Sequence, residues 1–149
     1  MSDELLRPTI AAAARSTARP WRLLYLGYVA VLGGILPATW LSFVNSRRLG
    51  VSPARRLLIV VIGLTGLVAE ILVAGWLFGG DDGQALARLT PVRVIAALAY
   101  LVQMRLQLPM ERAFQLRGGE HATRFGAGHI VLIGVGVMVE VLIVLVAGS

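Results

Sequence analysis

Glu70 and Glu140 offer the most chemistry in this chain, because each carboxyl stands inside an otherwise apolar run. The runs are "GLVAEILVAG" (Gly66 to Gly75) and "GVMVEVLIVLVAG" (Gly136 to Gly148). An ionised carboxylate at the centre of a membrane helix costs on the order of 3 kcal/mol, so such a residue is paired, protonated or turned toward an aqueous cavity. Glu70 lies eight residues before Phe78, and Glu140 lies eight before Gly148. At 1.5 Å per residue, each carboxyl is about 12 Å from the same end of its helix. Each also follows a glycine by four residues, Gly66 and Gly136. Gly63, Gly66, Glu70 and Ala74 share one helical face, as do Gly136, Glu140 and Ala147. Small residues let helix backbones approach closely, so both glutamates are expected to face protein rather than lipid. Two readings stay open. The pair binds a proton or a cation, or each carboxyl is protonated and hydrogen-bonded to a neighbour as a packing group.

The partners within reach come from the segment that begins near Val92. Tyr100 lies eight residues into it, at the depth of the glutamates, and Gln103 and Gln107 continue its face. Tyr100 and Gln103 are therefore expected to line an ion- or proton-binding site with Glu70 and Glu140. Arg105 points away from Gln103 and is expected to snorkel to the surface. Other chemistry finds little support. The chain has no cysteine, which excludes disulfides, thiolate metal sites and cysteine nucleophiles. His121 and His129, near Glu120, lack the short ligand spacing of zinc motifs. The glycine-rich "GGILPATW" and "GVGV" follow no strand and do not form phosphate cradles. No catalytic triad or paired-aspartate pattern is present, and Asp81 and Asp82 read as a solvated loop. No catalytic residue, metal site or cofactor is expected.

These residues must be positioned by helices that live in a bilayer. Of 149 residues, 57% are hydrophobic and 15% charged, and the apolar residues form runs of about 20, the length that crosses a hydrocarbon core. The pattern predicts an all-α, polytopic membrane protein with spans at about 21–44, 57–78, 92–114 and 129–148. Residues 1–20 are expected to form an N-terminal arm, helical around Ile10 to Arg15, ahead of a four-helix domain over 21–149. Trp21, Tyr25 and Tyr28 would mark one interface of the first span and Trp40 and Phe43 the other. Pro37 is expected to kink that span. From Gln103 onward the third helix is expected to leave the membrane or face protein, with "LPMERAFQLRGG" as an interfacial helix.

The net charge of +6 comes entirely from arginine. On a soluble chain it would suggest nucleic acid. Here the arginines flank apolar runs, so the expected partners are the lipid bilayer and anionic headgroups, held by Arg47, Arg48, Arg55, Arg56 and Arg117. Four spans would put both termini outside and both arginine-rich connections in the cytoplasm. The Ala/Gly/Arg-rich, lysine-free composition points to a bacterial inner membrane.

Displacement by 70 residues superposes Asn45 on Gln115, Arg47 on Arg117, Gly66 on Gly136 and Glu70 on Glu140. This echo predicts two helical hairpins of the same topology, a parallel repeat of a kind found in transporters. The loops "NSRRLG" (Asn45 to Gly50) and "QLRGG" (Gln115 to Gly119) resemble those of small uncharacterised four-helix bacterial membrane proteins, which carry N-x-R-R-L-G after the first span. That resemblance covers about half the chain and implies architecture only. Three function classes follow: a proton- or cation-coupled transporter or channel, a non-catalytic subunit of a larger membrane complex, and an enzyme acting on a lipid or quinone. The last ranks behind the others because no activated nucleophile is visible. A homo-oligomer is expected, since four helices are few to enclose a pathway.

Overall fold

Pro37 and the glycine pair ahead of it decide the shape of the first apolar segment. A proline inside a helix removes an amide donor, and its ring collides with the carbonyl four residues earlier, here that of Gly33. In the computed structural model, which describes residues 19–78, 85–122 and 126–147, the helix breaks at that place. Helix α1 (Leu23–Gly33) ends and helix α2 (Ile35–Arg48) begins with a single residue between them. That residue, Gly34, has φ 79° and ψ −170°, a conformation essentially confined to glycine. Its N–H donates to Ala30 O at 3.1 Å and closes α1.

The two helices fold back on each other. Trp21 N–H donates to Asn45 Oδ1 at 2.8 Å, and Asn45 Nδ2 donates to Trp21 O at 3.2 Å. Arg48 Nη1 donates to Arg19 O at 3.1 Å, and the guanidinium lies 3.8 Å over the Trp21 ring. A helical hairpin thus replaces the continuous helix expected over 21–44. Its arms of 11 and 14 residues are about 16 and 21 Å long. Trp21 and Phe43, expected at opposite ends of a span, are on arms that return to one end of the bundle.

Three longer helices follow: α3 (Pro53–Phe78, 26 residues), α4 (Ala85–Leu116, 32 residues) and α5 (Ala127–Ala147, 21 residues). Helix α4 continues through both Pro91 and Pro109. The described residues form five helices and no strand. Among them, Pro53–Trp76 is the one helix long and apolar enough to cross a membrane, with a mean hydropathy of 2.7, while Leu23–Gly33 and Ala127–Ile143 are shorter apolar helices. Large apolar side chains cover the outside of the bundle, Leu57, Leu64, Leu72 and Trp76 on α3 among them.

The hairpin is clasped by the other helices. Leu23, Leu26, Val29, Ala30, Ala38 and Leu41 are buried in one cluster with Tyr100 of α4. Glycines permit the close crossings. A Cβ at Gly136 would overlap the carbonyl of Gly33, and one at Gly66 would overlap Ile35. Ala122 N–H donates to Pro20 O at 2.9 Å, and Trp21 meets the His129 ring edge-on at 4.7 Å. The start of α1, the α2–α3 connection and the α4–α5 connection therefore gather at one end. Arg19 and Arg22, expected across the bundle from Arg47, Arg48 and Arg117, lie at the same end as these. The expected arm falls mainly on residues 1–18, which with Asp81 and Asp82 lie outside the described residues.

Candidate functional site: an acidic crevice at the hairpin tip

The reversal at Gly34 leaves two helix ends inside the bundle. The first turn of α2 presents amide N–H groups, and the last turn of α1 presents carbonyls. Helices α3 and α5 each place a glutamate against that tip. A narrow crevice of about 10 Å³, room for roughly one water molecule, is lined by Gly33, Ile35, Glu70, Gly136 and Glu140 with flanking aliphatic side chains. The Gly-x-x-x-Glu spacing explains the convergence. Each glycine lets the hairpin come close, and the glutamate one turn later reaches the same depth. Helices α3 and α5 run parallel, so the expected matching of depth is realised as a shared crevice.

Both carboxyls are deeply buried, Glu70 at 1% and Glu140 at 4% exposure. Glu140 packs so tightly against the tip that a Cβ at Gly34 would overlap its Oε1. Neither Oε1 nor Oε2 of Glu140 has a hydrogen-bond partner, and neither does Oε1 of Glu70. The cation at hand is Arg93 of α4, whose Nε lies 3.8 Å from Glu140 Oε2, within ion-pair range but beyond a hydrogen bond. The Arg93 side chain is 37% exposed and so connects the crevice to the outside of the bundle. Two carboxyls against one guanidinium leave room for one further positive charge. A bound proton or a small monovalent cation would supply it.

Tyr100 and Gln103 do not line this crevice. The Tyr100 hydroxyl donates to Leu23 O, and the ring packs on Gly27. Gln103 Nε2 donates to Thr39 Oγ1 at 2.9 Å and to Ile59 O at 3.3 Å. They belong instead to a buried polar stripe along α4: Tyr100, Gln103, Gln107 and Glu111 at i, i+3, i+7 and i+11. Asn45 Nδ2 also donates to Gln107 Oε1 at 3.4 Å, and Leu23 N–H donates to Glu111 Oε1 at 3.1 Å. The second half of α4 thus faces protein. Glu111 and Gln107 hold the hairpin base instead of lying at a surface. The arginines expected to hold headgroups share that end. Arg47, Arg55 and Arg117 are exposed, Arg48 stacks on Trp21, and the Arg56 side chain is partly covered.

Three contributors escaped the sequence reading. Arg93 reads as a flanking charge, although its spacing of seven from Tyr100 puts it on the same α4 stripe. Gly34 is signalled by its place in "GGILP", three residues before a proline. The Glu111–His121 contact closes over the turn that ends α4 and has no helical periodicity to signal it. Among the described residues no three His, Asp or Glu side chains gather into a metal-ligand group. Comparison with protein-family models, curated proteins and solved structures returned no match.

Proposed function

We propose that this chain is a small polytopic membrane protein that moves protons or small monovalent cations through the Glu70–Glu140 crevice. The observation that carries this reading is the buried carboxyl pair at the hairpin tip, three of whose oxygens lack a hydrogen-bond partner and which is opposed by a single guanidinium. Structural carboxylates inside proteins are normally hydrogen-bonded, and the exceptions concentrate where a group must gain and lose a charge. Helices α3, α4 and α5 cross the bilayer in this reading. The hairpin enters from the arginine-rich end and stops partway, since its arms of about 16 and 21 Å fall short of a ~30 Å core. A non-helical turn at that depth is tolerated where protein covers it, as α3, α4 and α5 do here. Arg19, Arg22, Arg47, Arg48, Arg55, Arg56, Arg112 and Arg117 fall at one end, against Arg88 and Arg93 toward the other. This asymmetry supports a cytoplasmic arginine-rich end in a bacterial inner membrane, with those side chains on anionic headgroups.

The test is reconstitution into proteoliposomes, with internal pH and cation content followed under an imposed pH gradient or diffusion potential. Wild-type protein should carry flux, and Glu70→Gln and Glu140→Gln should each abolish it while remaining folded. Equal flux in wild type and both variants would remove the carboxylate mechanism. Absence of wild-type flux, with stoichiometric co-purification of another membrane protein, would favour the accessory-subunit reading instead.

A further inference from the structure

The crevice has a short way out toward Arg93, but its other face is sealed by the hairpin. From the arginine-rich end, a line of buried polar side chains on α4 runs inward along the hairpin, beside the apolar cluster of Leu23, Leu26 and Leu41. It starts at a second buried titratable pair outside the crevice. His121 Nε2 lies 3.4 Å from Glu111 Oε1, with side chains 8% and 9% exposed. Phe114 closes on the imidazole edge-on at 5.2 Å, and the Leu23 N–H caps the carboxylate from α1. On its outer side His121 borders an open pocket of about 530 Å³ whose other charged lining groups are Arg19, Arg22 and Glu120. On its inner side Glu111 leads to Gln107, Gln103 and Tyr100. Several buried polar atoms along this line are unpartnered: Gln107 Nε2, Gln103 Oε1 and Ser42 Oγ.

We infer that the Glu111–His121 pair is a proton-loading station, and that the α4 stripe is the path by which protons pass between it and the Glu70–Glu140 crevice. The inference rests on the proton-handling reading above and adds an entrance to it. His121 takes a proton from the pocket on its imidazole, and Glu111 Oε1 accepts it while the imidazole returns to neutrality. Amides do not carry protons themselves. The unpartnered amide and hydroxyl atoms are the groups that would orient water molecules to pass the proton inward. Arg19 pairs with Glu120 at 2.9 Å, so this acidic group at the mouth is already balanced and the station is left to His121 and Glu111.

The experiment measures initial proton flux in proteoliposomes as a function of pH on the arginine-rich side, between about pH 5 and pH 8, where an unperturbed histidine changes charge. Glu111→Gln keeps an acceptor for Leu23 N–H but cannot take up a proton, and His121→Gln removes the imidazole. Both are expected to lower flux about ten-fold or more at the alkaline end and much less at the acid end, the sign of lost buffering at an entrance. Their melting temperatures report separately on the cap and the packing. Folded variants with the wild-type flux profile would overturn the loading station while leaving the crevice reading intact. Insensitivity to Glu70→Gln and Glu140→Gln as well would show that the reading beneath it had failed.

Discussion

Replacing Gly34 by alanine tests the hairpin and the crevice together. At φ 79° and ψ −170°, a residue bearing a Cβ carries strain of about 1–3 kcal/mol. The new methyl would overlap Glu140 Oε1 and stand 2.8 Å from Cδ and 3.2 Å from Cγ. No shift of a few tenths of an ångström relieves that, so Glu140 must leave the crevice and Arg93. Forcing the packed Glu140 side chain out of the way of the new methyl adds the usual overpacking cost of about 1–3 kcal/mol. The combined loss of about 4 kcal/mol corresponds to a melting temperature lower by roughly 8–16 °C for a chain of this size. Thermal unfolding in detergent, followed by circular dichroism, measures it against Gly75→Ala, where the methyl meets nothing within 4 Å. That control should melt at or slightly above wild type. Glu140→Ala in the Gly34→Ala background should recover the overlap but not the backbone strain, giving a coupling of about 1–3 kcal/mol. If Gly34→Ala melts with wild type, the chain does not reverse at Gly34 and Glu140 does not sit against it.

Further outcomes follow from the same geometry. The chain has no cysteine, so single cysteines at the exposed positions Arg22, Ser52 and Arg117 should all react with an impermeant maleimide from one side of the membrane, and one at Thr90 from the other. Labelling of position 22 from the side of position 90 would restore a continuous first span. Asn45→Ala removes a fully buried amide that bonds both backbone groups of Trp21, with an expected loss of about 2–4 kcal/mol by thermal melting. Gln115→Ala, at the exposed counterpart in the echo, should melt within about 0.5 kcal/mol of wild type. Arg93→Gln should leave the crevice two carboxyls without a guanidinium and raise the affinity for a bound monovalent cation, read by cation-dependent thermal stabilisation. An unchanged or weaker response would remove Arg93 from the charge balance.

Helix identity and the glutamate pair could be read from the residues because both are local. Apolar runs, the Gly-x-x-x-Glu spacing and the eight-residue offsets are written along single helices. The hairpin is not legible from hydropathy, which measures length and composition: 24 mostly apolar residues that run straight look the same as 24 that double back. Aromatic residues at both ends do not discriminate either, since two ends brought together carry the same aromatics as two ends held apart. The discriminating signal was steric. Pro37 points its ring at Gly33, and Gly34 beside it can take the backbone conformation that a one-residue reversal demands. The α4 stripe failed differently. Tyr100 and Gln103 share one face of α4, but which helix occupies that face depends on the hairpin, so their partners are Leu23, Thr39 and Ile59 and not the glutamates.

The internal echo divides along the same line. Its amide half has no structural counterpart, because Asn45 is buried at the hairpin base while Gln115 is exposed at the end of α4. Its Gly-x-x-x-Glu half holds on both helices, and both copies serve the same object, the tip at Gly34. Packing alone would be met by the glycines. Close approach of α3 and α5 to the hairpin needs no carboxyl one turn further on, and leucine or alanine there would bury more favourably at lower cost. Keeping two glutamates at that point, with one guanidinium between them and water, is a poor way to hold helices together. It suits the proposed role of holding one exchangeable positive charge.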